Sequence, residues 1–379
     1  MKIKPSFFTL CYLVVLLLTS CKYTNKQSLE AFTQEVYTPT YASGFKIVGA
    51  ENAKSTLIQV FNPWQGAKNV EMSYFISRGD EQTPAGFTGP VIKAGAKRIV
   101  CMSSSYIAML DALGQVDRVV AVSGMNYVNN PYILSRRESI RDMGAEINYE
   151  LLVGLKPDVV LLYGIGDAQV AVTNKLKELS IPYIYMGEYL EESPLGKAEW
   201  MIALSELTDS REKGIEVFSE IPKRYEALRL LTSAVAEKPT AMLNTPWNDS
   251  WVMPSTKSYM AQLVKDAGAD YIYKGNDSNG STAIGLETAY KLIKDADYWL
   301  NVGMPVAMNE LKAMNPKFAD AKSVCNRTVY NNNLRLSPTG GNDFWESSIV
   351  NPDIVLRDLI HIFHPELATD SLYYYRQLK

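Results

Sequence analysis

The chain has 379 residues, 47% of them hydrophobic, and a formal net charge of −3 at pH 7. This length is too great for one modest domain and suits two lobes of about 100–200 residues each, with enough apolar side chains for large cores. The small negative charge, together with the lack of a block of basic residues, argues against nucleic acid as a partner.

The start of the chain has the composition of an export signal. Lys2 and Lys4 are followed by an apolar run over residues 7–18, and small residues precede Cys21. The run is shorter than the roughly 20 residues that a permanent membrane helix needs, so residues 1–20 are predicted to be a signal peptide. The segment resembles a bacterial lipoprotein signal, which implies that Cys21 is lipidated and becomes the new N-terminus. An ordinary signal peptide with an incidental cysteine is the alternative.

A β-rich segment follows the export signal. Residues 21–44 begin with polar side chains and would tether the folded protein to the membrane. Hydrophobic side chains then alternate along residues 69–77, and residues 54–61 form a plausible partner strand. Between these strands lies the turn-forming sequence NPWQGAKN, residues 62–69. We therefore predict a β-rich extension over residues 45–94.

From residue 95 onward, short apolar runs alternate with helical patterns. Such runs occur in a first lobe, residues 95–192, and again in a second lobe, residues 238–379. Residues 193–237 between them have a helical pattern, and Pro222 within it predicts a kink or a break into two helices. These patterns predict an α/β fold of two Rossmann-like lobes with parallel sheets, bridged by a long helix and preceded by the β-rich extension.

One short plan occurs once in each lobe. A glutamate opens a short helix, an aspartate precedes a buried strand and a glycine follows that strand. The residues are Glu150, Asp158 and Gly164 in the first lobe and Glu287, Asp297 and Gly303 in the second. The spacings differ by two residues, so the repeat is weak, but its place in each lobe suggests corresponding roles.

Residues for catalysis or metal binding are scarce. The two histidines, His361 and His364, lie together near the end of the chain, and neither a G-x-S-x-G motif nor a P-loop is present. The SSS run at 103–105 is interpreted as a polar turn that caps a helix. Cys101 and Cys325 are expected to be separate buried thiols. We therefore predict no catalytic residue, no metal site and no cofactor.

Aromatic side chains stand out in the predicted loops. They are Tyr127, Tyr163 and Tyr189 in the first lobe and Trp247, Trp251 and Trp345 in the second. Ligands of doubly wound sheets bind beyond the carboxyl ends of the strands, so these side chains are candidates to line a ligand cleft between the lobes. Arg136, Arg137 and Arg141 could neutralise an anionic ligand or could equally be solvated surface residues.

The sequences RIVCMSSSYIAMLDALGQVDRVVAVSG and NYELLVGLKPDVVLLYG, with the long helix that follows, resemble periplasmic binding proteins that serve ATP-driven importers of metal chelates. The resemblance covers most of residues 95–379. It implies two lobes joined by a rigid helix, with the ligand in the cleft. It also implies one glutamate on each lobe that docks with arginines of the permease. Glu150 matches the first of these glutamates and Glu287, with its different spacing, the second. Residues 45–94 are not part of the common pattern.

The resemblance implies a function without chemistry. We expect an exported, membrane-anchored lipoprotein on the periplasmic side of a bacterial envelope, delivering an iron(III)-siderophore or a corrinoid to the permease of an ABC importer. A haem-binding protein of the same class is an alternative, although neither histidine is expected to reach the cleft. An exported α/β enzyme that acts on a cofactor or a glycan also stays open, because carboxylates can catalyse reactions without histidine.

Overall fold

A computed structural model describes residues 28–144, 146–164, 169–278 and 280–379. The predicted signal peptide and Cys21 lie outside the described residues. The described residues form an N-terminal sheet, two α/β lobes and two helices between the lobes. Among them, no helix combines the length and the apolar composition that crossing a membrane requires.

The predicted β-rich extension is a five-stranded sheet. Its strands are β1 Gln34–Tyr37, β2 Phe45–Gly49, β3 Thr56–Phe61, β4 Glu71–Ser77 and β5 Val91–Lys93, in that spatial order. All neighbours are antiparallel except β4 and β5, which are parallel. Strand β1 lies within residues 21–44, so the prediction that this whole segment is a tether was wrong. Buried Phe32 and the half-buried side chains of β1 pack onto the folded protein.

Both faces of this sheet are buried. One face packs against the first lobe, where the Tyr74 hydroxyl accepts a hydrogen bond from the N–H of Tyr185 at 3.2 Å. The other face covers a small separate core that includes Phe32 and Phe75. One face of the sheet therefore belongs to the main hydrophobic core, and the other face belongs to a separate small core.

The first lobe has the predicted parallel sheet. Its strands are β6 Ile99–Cys101, β7 Val119–Val122, β8 Arg141–Asp142, β9 Val159–Leu162 and β10 Tyr183–Tyr185, in the spatial order β10-β9-β6-β7-β8. Its helices are α1 Ser104–Ala112, α2 Pro131–Ser135, α3 Tyr149–Leu155 and α4 Gln169–Glu178. The chain moves outward in opposite directions from β6, so the crevice of the switch point opens between β6 and β9.

Two helices, α5 Pro194–Leu207 and α6 Arg211–Thr232, form the region between the lobes. The break between them lies at residues 208–210, where Asp209 has a φ of +57°. Helix α6 continues through Pro222, so the predicted break at that proline was wrong. Helix α5 is buried around nearly its whole circumference because the N-terminal sheet, the first lobe and the second lobe each cover part of it.

The second lobe has a similar sheet with one antiparallel edge. Its strands are β11 Thr240–Leu243, β13 Asp270–Tyr271, β15 Tyr298–Leu300, β16 Val329–Asn331 and the antiparallel β17 Arg376–Gln377, in the spatial order β13-β11-β15-β16-β17. Strands β12 Ser250–Met253 and β14 Thr282–Gly285 form a separate antiparallel pair. The helices are α7 Tyr259–Asp266, α8 Leu286–Asp295, α9 Met308–Met314, α10 Lys322–Cys325, α11 Asp343–Ser347 and α12 Pro352–Phe363.

The aspartates of the internal repeat have the same structural role in the two lobes. Asp158 precedes β9 and accepts hydrogen bonds from the N–H groups of Lys97 and Arg98, at 2.7 and 2.9 Å, just before β6. Asp297 precedes β15 and accepts bonds from the N–H and the hydroxyl of Thr240, both at 2.8 Å, at the start of β11. Each aspartate thus joins the starts of two neighbouring parallel strands. The aspartate position of the weak repeat therefore has a structural role.

Three buried glutamates hold the N-terminal sheet against α5, which we call the central helix. Glu199, in the middle of α5, accepts hydrogen bonds from the Tyr37 hydroxyl and from the N–H groups of residues 40–42, at 2.6–2.8 Å. The other two act at the ends of the helix: Glu191 accepts bonds from Ser43, Gly44 and Trp200, and Glu206 from Thr56, Arg78 and Arg211. Because bonds to a carboxylate are stronger than neutral ones, the sheet is fixed rather than loosely attached.

The two cysteines of the described residues differ in exposure. Cys101 is buried in β6, and Cys325 is exposed at the end of α10; they form no disulfide. The prediction of two buried thiols was therefore right for Cys101 and wrong for Cys325, because α10 is short and lies at the surface.

Candidate functional site

The cleft between the lobes contains two adjoining cavities of about 230 and 280 Å³. Tyr189, Tyr259 and Trp345 line both of them. Tyr189 follows β10 of the first lobe, whereas Tyr259 begins α7 and Trp345 lies in α11 of the second lobe. Taken together, the cavities have the size of a small-molecule site, and they lie where the sheet topology predicts one.

A carboxyl group and an ammonium group lie at the base of the smaller cavity. Glu188 is only 3% exposed, and one of its oxygens accepts a hydrogen bond from the Ser105 hydroxyl at 2.9 Å. Its other oxygen has no hydrogen-bond partner among the described residues. Burial raises the pKa of Glu188 to about 7, although the charge of Lys197 opposes the shift. This carboxyl group therefore titrates near neutral pH, next to a position that a ligand can occupy.

Lys197 is the cation at this position. It projects from the first turns of α5, and its Nζ lies 4.4 Å from the centroid of the Tyr259 ring, a cation–π geometry. Burial lowers the pKa of Lys197, although the Glu188 and Glu191 carboxylates oppose the shift. Polar and charged groups thus come from both the first lobe and the central helix, and the second lobe adds aromatic surface.

Two of the six predicted aromatic residues line the cleft, and a third lies near one of them. Tyr189 and Trp345 line both cavities, and Trp345 is 55% exposed. Tyr163 directly follows β9 and is 38% exposed. It lies close enough to Tyr189 for the two hydroxyl groups to interact electrostatically. The Tyr189 hydroxyl donates to the carbonyl oxygen of Gly164, and burial raises the pKa of Tyr189 to about 12.

Like Tyr163, the other three predicted aromatic residues line neither cavity. Trp251 is fully buried in the second lobe, where it packs against Trp299 and Phe318 and donates its indole N–H to the backbone of that lobe. The prediction that Trp251 contacts ligand is therefore wrong in this structure, since it is a core residue. Tyr127 and Trp247 are 74% and 77% exposed and lie outside both cavities.

The family is identified by sequence. The family model described as "Periplasmic binding protein" matches residues 99–331, which is more than half of the chain. The chain belongs to the periplasmic binding protein family. The match begins at β6 and ends at β16, so it includes most of both lobes and the helices between them, and it leaves out the N-terminal sheet.

A relative and two solved structures extend this comparison. An uncharacterized lipoprotein of Methanocaldococcus jannaschii is 25% identical over 345 residues, which cover 86% of this chain and 79% of the relative. A periplasmic haem binding protein of Pseudomonas aeruginosa has a TM-score of 0.59 and 15% identity, covering 75% of this chain and 98% of its own. An ABC-type Fe³⁺-hydroxamate transport protein of Saccharomonospora viridis has a TM-score of 0.52 and 17% identity, covering 73% and 96%.

The two structures show that the fold is shared. The archaeal relative adds one point about the N-terminal sheet. Residues 95–379 alone are too few to make up 86% of this chain, so the match must include part of the sheet that precedes them. At least part of the sequence that forms the N-terminal sheet of this binding protein therefore has a counterpart in the archaeal relative.

The two lobes of the binding protein also touch at one edge of the cleft. The N–H of Asn129 donates to the carboxylate of Glu346 at 2.8 Å, and the Asn129 side chain donates to the carbonyl oxygen of Gly341 at 3.1 Å. Burial raises the pKa of Glu346 to about 7, an effect that the Asn129 N–H opposes. This contact closes the edge of the cleft that lies beyond β7.

The two predicted docking glutamates occupy equivalent positions. Glu150 is exposed in the first turn of α3, and Glu287 is exposed in the first turn of α8. A helix that joins parallel strands runs antiparallel to them, so both first turns lie near the carboxyl edge of their sheets. Glu287 forms an ion pair with Lys291 at 2.9 Å, and this pair is weak because both side chains are exposed.

The basic and histidine residues noted in the sequence lie elsewhere. The Arg136 guanidinium lies 3.9 Å from the Tyr132 ring centroid, on a surface away from the cleft. His361 and His364 are each within hydrogen-bond distance of a backbone carbonyl oxygen, of Ala368 and Gly268, and neither lines the two cavities. Within the described residues, no group of three or more His, Cys, Asp or Glu side chains is placed to hold a metal ion.

Sequence reasoning missed several residues of the cleft. Ser103 does cap α1 as predicted, but Ser103 and Ser105 also line the smaller cavity. Glu188 could have been found because it adjoins Tyr189 in the loop after β10. Lys197 and Tyr259 carry no such signal, because their place in the cleft depends on how the central helix and α7 pack together.

Proposed function

We propose that this protein is the substrate-binding lipoprotein of an ABC importer, and that it captures an iron(III)-siderophore in the inter-lobe cleft and delivers it to the permease. The observation that carries this proposal is the pair of cavities between two parallel-sheet lobes, lined by aromatic side chains from both lobes. Family membership and the likeness to binding proteins for haem and Fe³⁺-hydroxamate support the class of cargo.

Several features favour a siderophore over haem. Both histidines lie outside the two cavities, where one ring nitrogen of each is within hydrogen-bond distance of a backbone carbonyl oxygen, so neither is placed to ligate haem iron. Burial raises the pKa of both Tyr189 and Tyr259 to about 12, so both hydroxyl groups are protonated near neutral pH in the empty cleft and can act as hydrogen-bond donors. A siderophore already fills the coordination sphere of its iron. It therefore needs only hydrogen bonds and flat contact area from the protein, and the cleft offers both.

Delivery would use the exposed glutamates of the two lobes. A carboxylate in the first turn of a helix is favoured by the helix dipole, and it can make bidentate charge-assisted bonds to arginine. Glu150 and Glu287 meet both conditions on corresponding surfaces. We assign them the role of docking with arginines of the permease dimer.

Attachment to the membrane would use Cys21. The sequence before it has the pattern of a lipoprotein signal, and the archaeal relative is named as a lipoprotein. A lipid at Cys21 would keep the binding protein at the outer surface of the membrane, on the periplasmic side of a bacterial envelope, next to its permease.

A fluorescence titration tests the proposal. Trp345 lies in the cleft, so a bound iron(III) chelate should quench tryptophan emission saturably. The ligands are a ferric trihydroxamate, a ferric tricatecholate, cobalamin and haem. We expect a ferric siderophore to bind with a Kd of about 1 µM or lower, and haem more weakly. Replacing Tyr189 with alanine should weaken binding about tenfold or more, which corresponds to 1.4 kcal/mol. The matched control, Tyr127→Ala, removes an exposed tyrosine outside both cavities.

Four results would contradict the proposal. Binding of haem alone would favour the haem-binding alternative, and tight binding of cobalamin alone would favour a corrinoid carrier. Chemical conversion of a chelate by the purified protein would favour an enzyme. Equal effects of the Tyr189 and Tyr127 substitutions would show that the cleft is not the ligand site.

A further inference from the structure

The loop between β3 and β4, residues 62–69, leaves the N-terminal sheet and lies beside the inter-lobe cavity, which Gln65 lines. The N–H of Gln65 donates to the Tyr189 hydroxyl at 3.1 Å and lies 3.4 Å from the carbonyl oxygen of Gly164, to which it also donates. Both partners belong to first-lobe segments that follow strands of the parallel sheet. The loop is therefore attached to the wall of the cleft by its backbone.

From this attachment, the side chain of Gln65 reaches the second lobe. A Cβ atom placed on Gly280 would lie 3.4 Å from Gln65 Nε2. The side-chain amide of Gln65 forms no hydrogen bond to any described residue. It lines the inter-lobe cavity of about 280 Å³ and also a further cavity of about 370 Å³, bounded by the loop, Leu190 and Ser278. An uncommitted amide thus lies where two cavities meet.

The loop is held at its base and at its tip. At its base, the N–H of Asn62 donates to the carbonyl oxygen of Val70 at 2.7 Å, and the N–H of Val70 donates to the Asn62 side chain at 3.1 Å. At its tip, the Trp64 ring packs edge-on against Tyr185, with the centroids 5.6 Å apart. The sheet that carries the loop is fixed to the central helix by buried glutamates. Groups on such a support can recognise a ligand without a large cost of ordering.

We propose that residues 62–69 form a third wall of the ligand site, in which the Gln65 amide hydrogen-bonds the polar rim of a siderophore whose periphery carries amide or hydroxamate groups. The inference rests on the proposed function and narrows its ligand class. A primary amide offers two donors and an acceptor, which match the carbonyl and N–H groups around such a chelate. The ligand would extend from the inter-lobe cavities into the cavity beside the loop.

Two variants test the third wall. Gln65→Ala removes the amide alone. In the second variant, an Asn-Gly pair replaces residues 63–69, so that Asn62 and Val70 keep their pairing across a two-residue hairpin turn. The matched control is Gln59→Ala, on the same sheet but bonded only to Glu71. Tryptophan quenching measures binding of ferrioxamine B, a linear ferric trihydroxamate, and of haem, and urea unfolding checks that each variant is folded.

We expect Gln65→Ala to weaken binding of ferrioxamine B about threefold to tenfold, because this is the change that the loss of one hydrogen bond produces. The shortened loop should weaken it more than tenfold, with haem affinity and the control changed less than twofold. Unchanged affinity in folded Gln65→Ala overturns the inference and leaves the proposed function intact, provided that the unaltered protein binds the chelate. Equal losses for haem and ferrioxamine B overturn the assigned ligand class. If the unaltered protein binds no ferric chelate, the proposed function fails and this inference fails with it.

Discussion

Replacing Glu199 with glutamine tests how the N-terminal sheet is held. The carboxylate is fully buried and accepts four hydrogen bonds, two on each oxygen. Glutamine has nearly the same shape, but one of its two oxygens becomes an NH₂ group that faces two donors. If the NH₂ group faces the N–H groups of Tyr41 and Ala42, two of the four bonds are lost. If it faces Thr40 and Tyr37, the Tyr37 hydroxyl can turn and accept from it, so one bond is lost. In either orientation, the bonds that the amide oxygen still accepts are bonds to a neutral acceptor.

The magnitude follows from these bonds. A hydrogen bond to a charged group contributes about 1.5–3 kcal/mol, so the loss of one or two lowers the free energy of unfolding by about 1.5–6 kcal/mol. Urea unfolding followed by tryptophan fluorescence measures the change. Limited proteolysis should also cut within residues 37–44, because the N–H groups of residues 40–42 lose their acceptor.

The control for this substitution is Glu216→Gln. Glu216 is an exposed residue of α6 that forms only an ion pair with Lys213, so its replacement should change stability by less than about 0.5 kcal/mol. A loss below about 1 kcal/mol for Glu199→Gln, with no new cleavage near residues 37–44, would refute the idea that this carboxylate anchors the sheet.

Three further predictions concern pH, docking and the membrane anchor. Because burial raises the pKa of Glu188 to about 7 from an ordinary 4.5, the folded state binds its proton more tightly, and stability must fall as the pH rises between those values. In urea titrations at pH 4.5 and 8, Glu188→Gln should remove about 3 kcal/mol of that fall. The part due to other carboxyl groups whose pKa burial raises, Glu346, Asp266 and Asp358, should remain. An unchanged fall would refute the shift. Glu150→Lys combined with Glu287→Lys should abolish chelate uptake by cells while the purified protein keeps its affinity, and a loss of affinity would place these residues in the pocket. Cys21→Ser should move the protein from the membrane fraction to the soluble fraction, and unchanged membrane association would rule out the lipid anchor.

The strands of the lobes could be predicted from sequence because buried parallel strands are short apolar runs with polar or turn residues at both ends. The helix break could also have been predicted, but from a different signal. Pro222 drew attention because proline disrupts helices, yet α6 accommodates it. The actual break has Asp209 in the left-handed region and Ser210 just before the next helix, residue types that often end and begin helices.

The cleft was harder to predict than the strands. Trp251 and Val252 are neighbours in β12, but the first is fully buried and the second is 44% exposed. Alternation along a strand indicates that one of two neighbouring side chains faces inward, but not which one. The prediction that Trp251 contacts the ligand was wrong because this large aromatic residue lies in a sequence that resembles a loop but forms a buried strand. Lys197 and Tyr259 come together only because two helices far apart in the chain pack side by side, which local sequence patterns do not report.

The N-terminal sheet is the part that sequence reasoning left without a role, and its packing argues that it belongs to the core. A Cβ atom placed on Gly196 of α5 would lie 2.8 Å from the backbone oxygen of Tyr41, so sheet and helix approach at backbone distance. Glu191 binds the N–H groups of Ser43 and Gly44 and also lines the cleft. The segment between β1 and β2 is therefore connected to the ligand cleft through Glu191. A substitution that breaks the hydrogen bonds from Ser43 and Gly44 to Glu191 should consequently change the shape of the cleft.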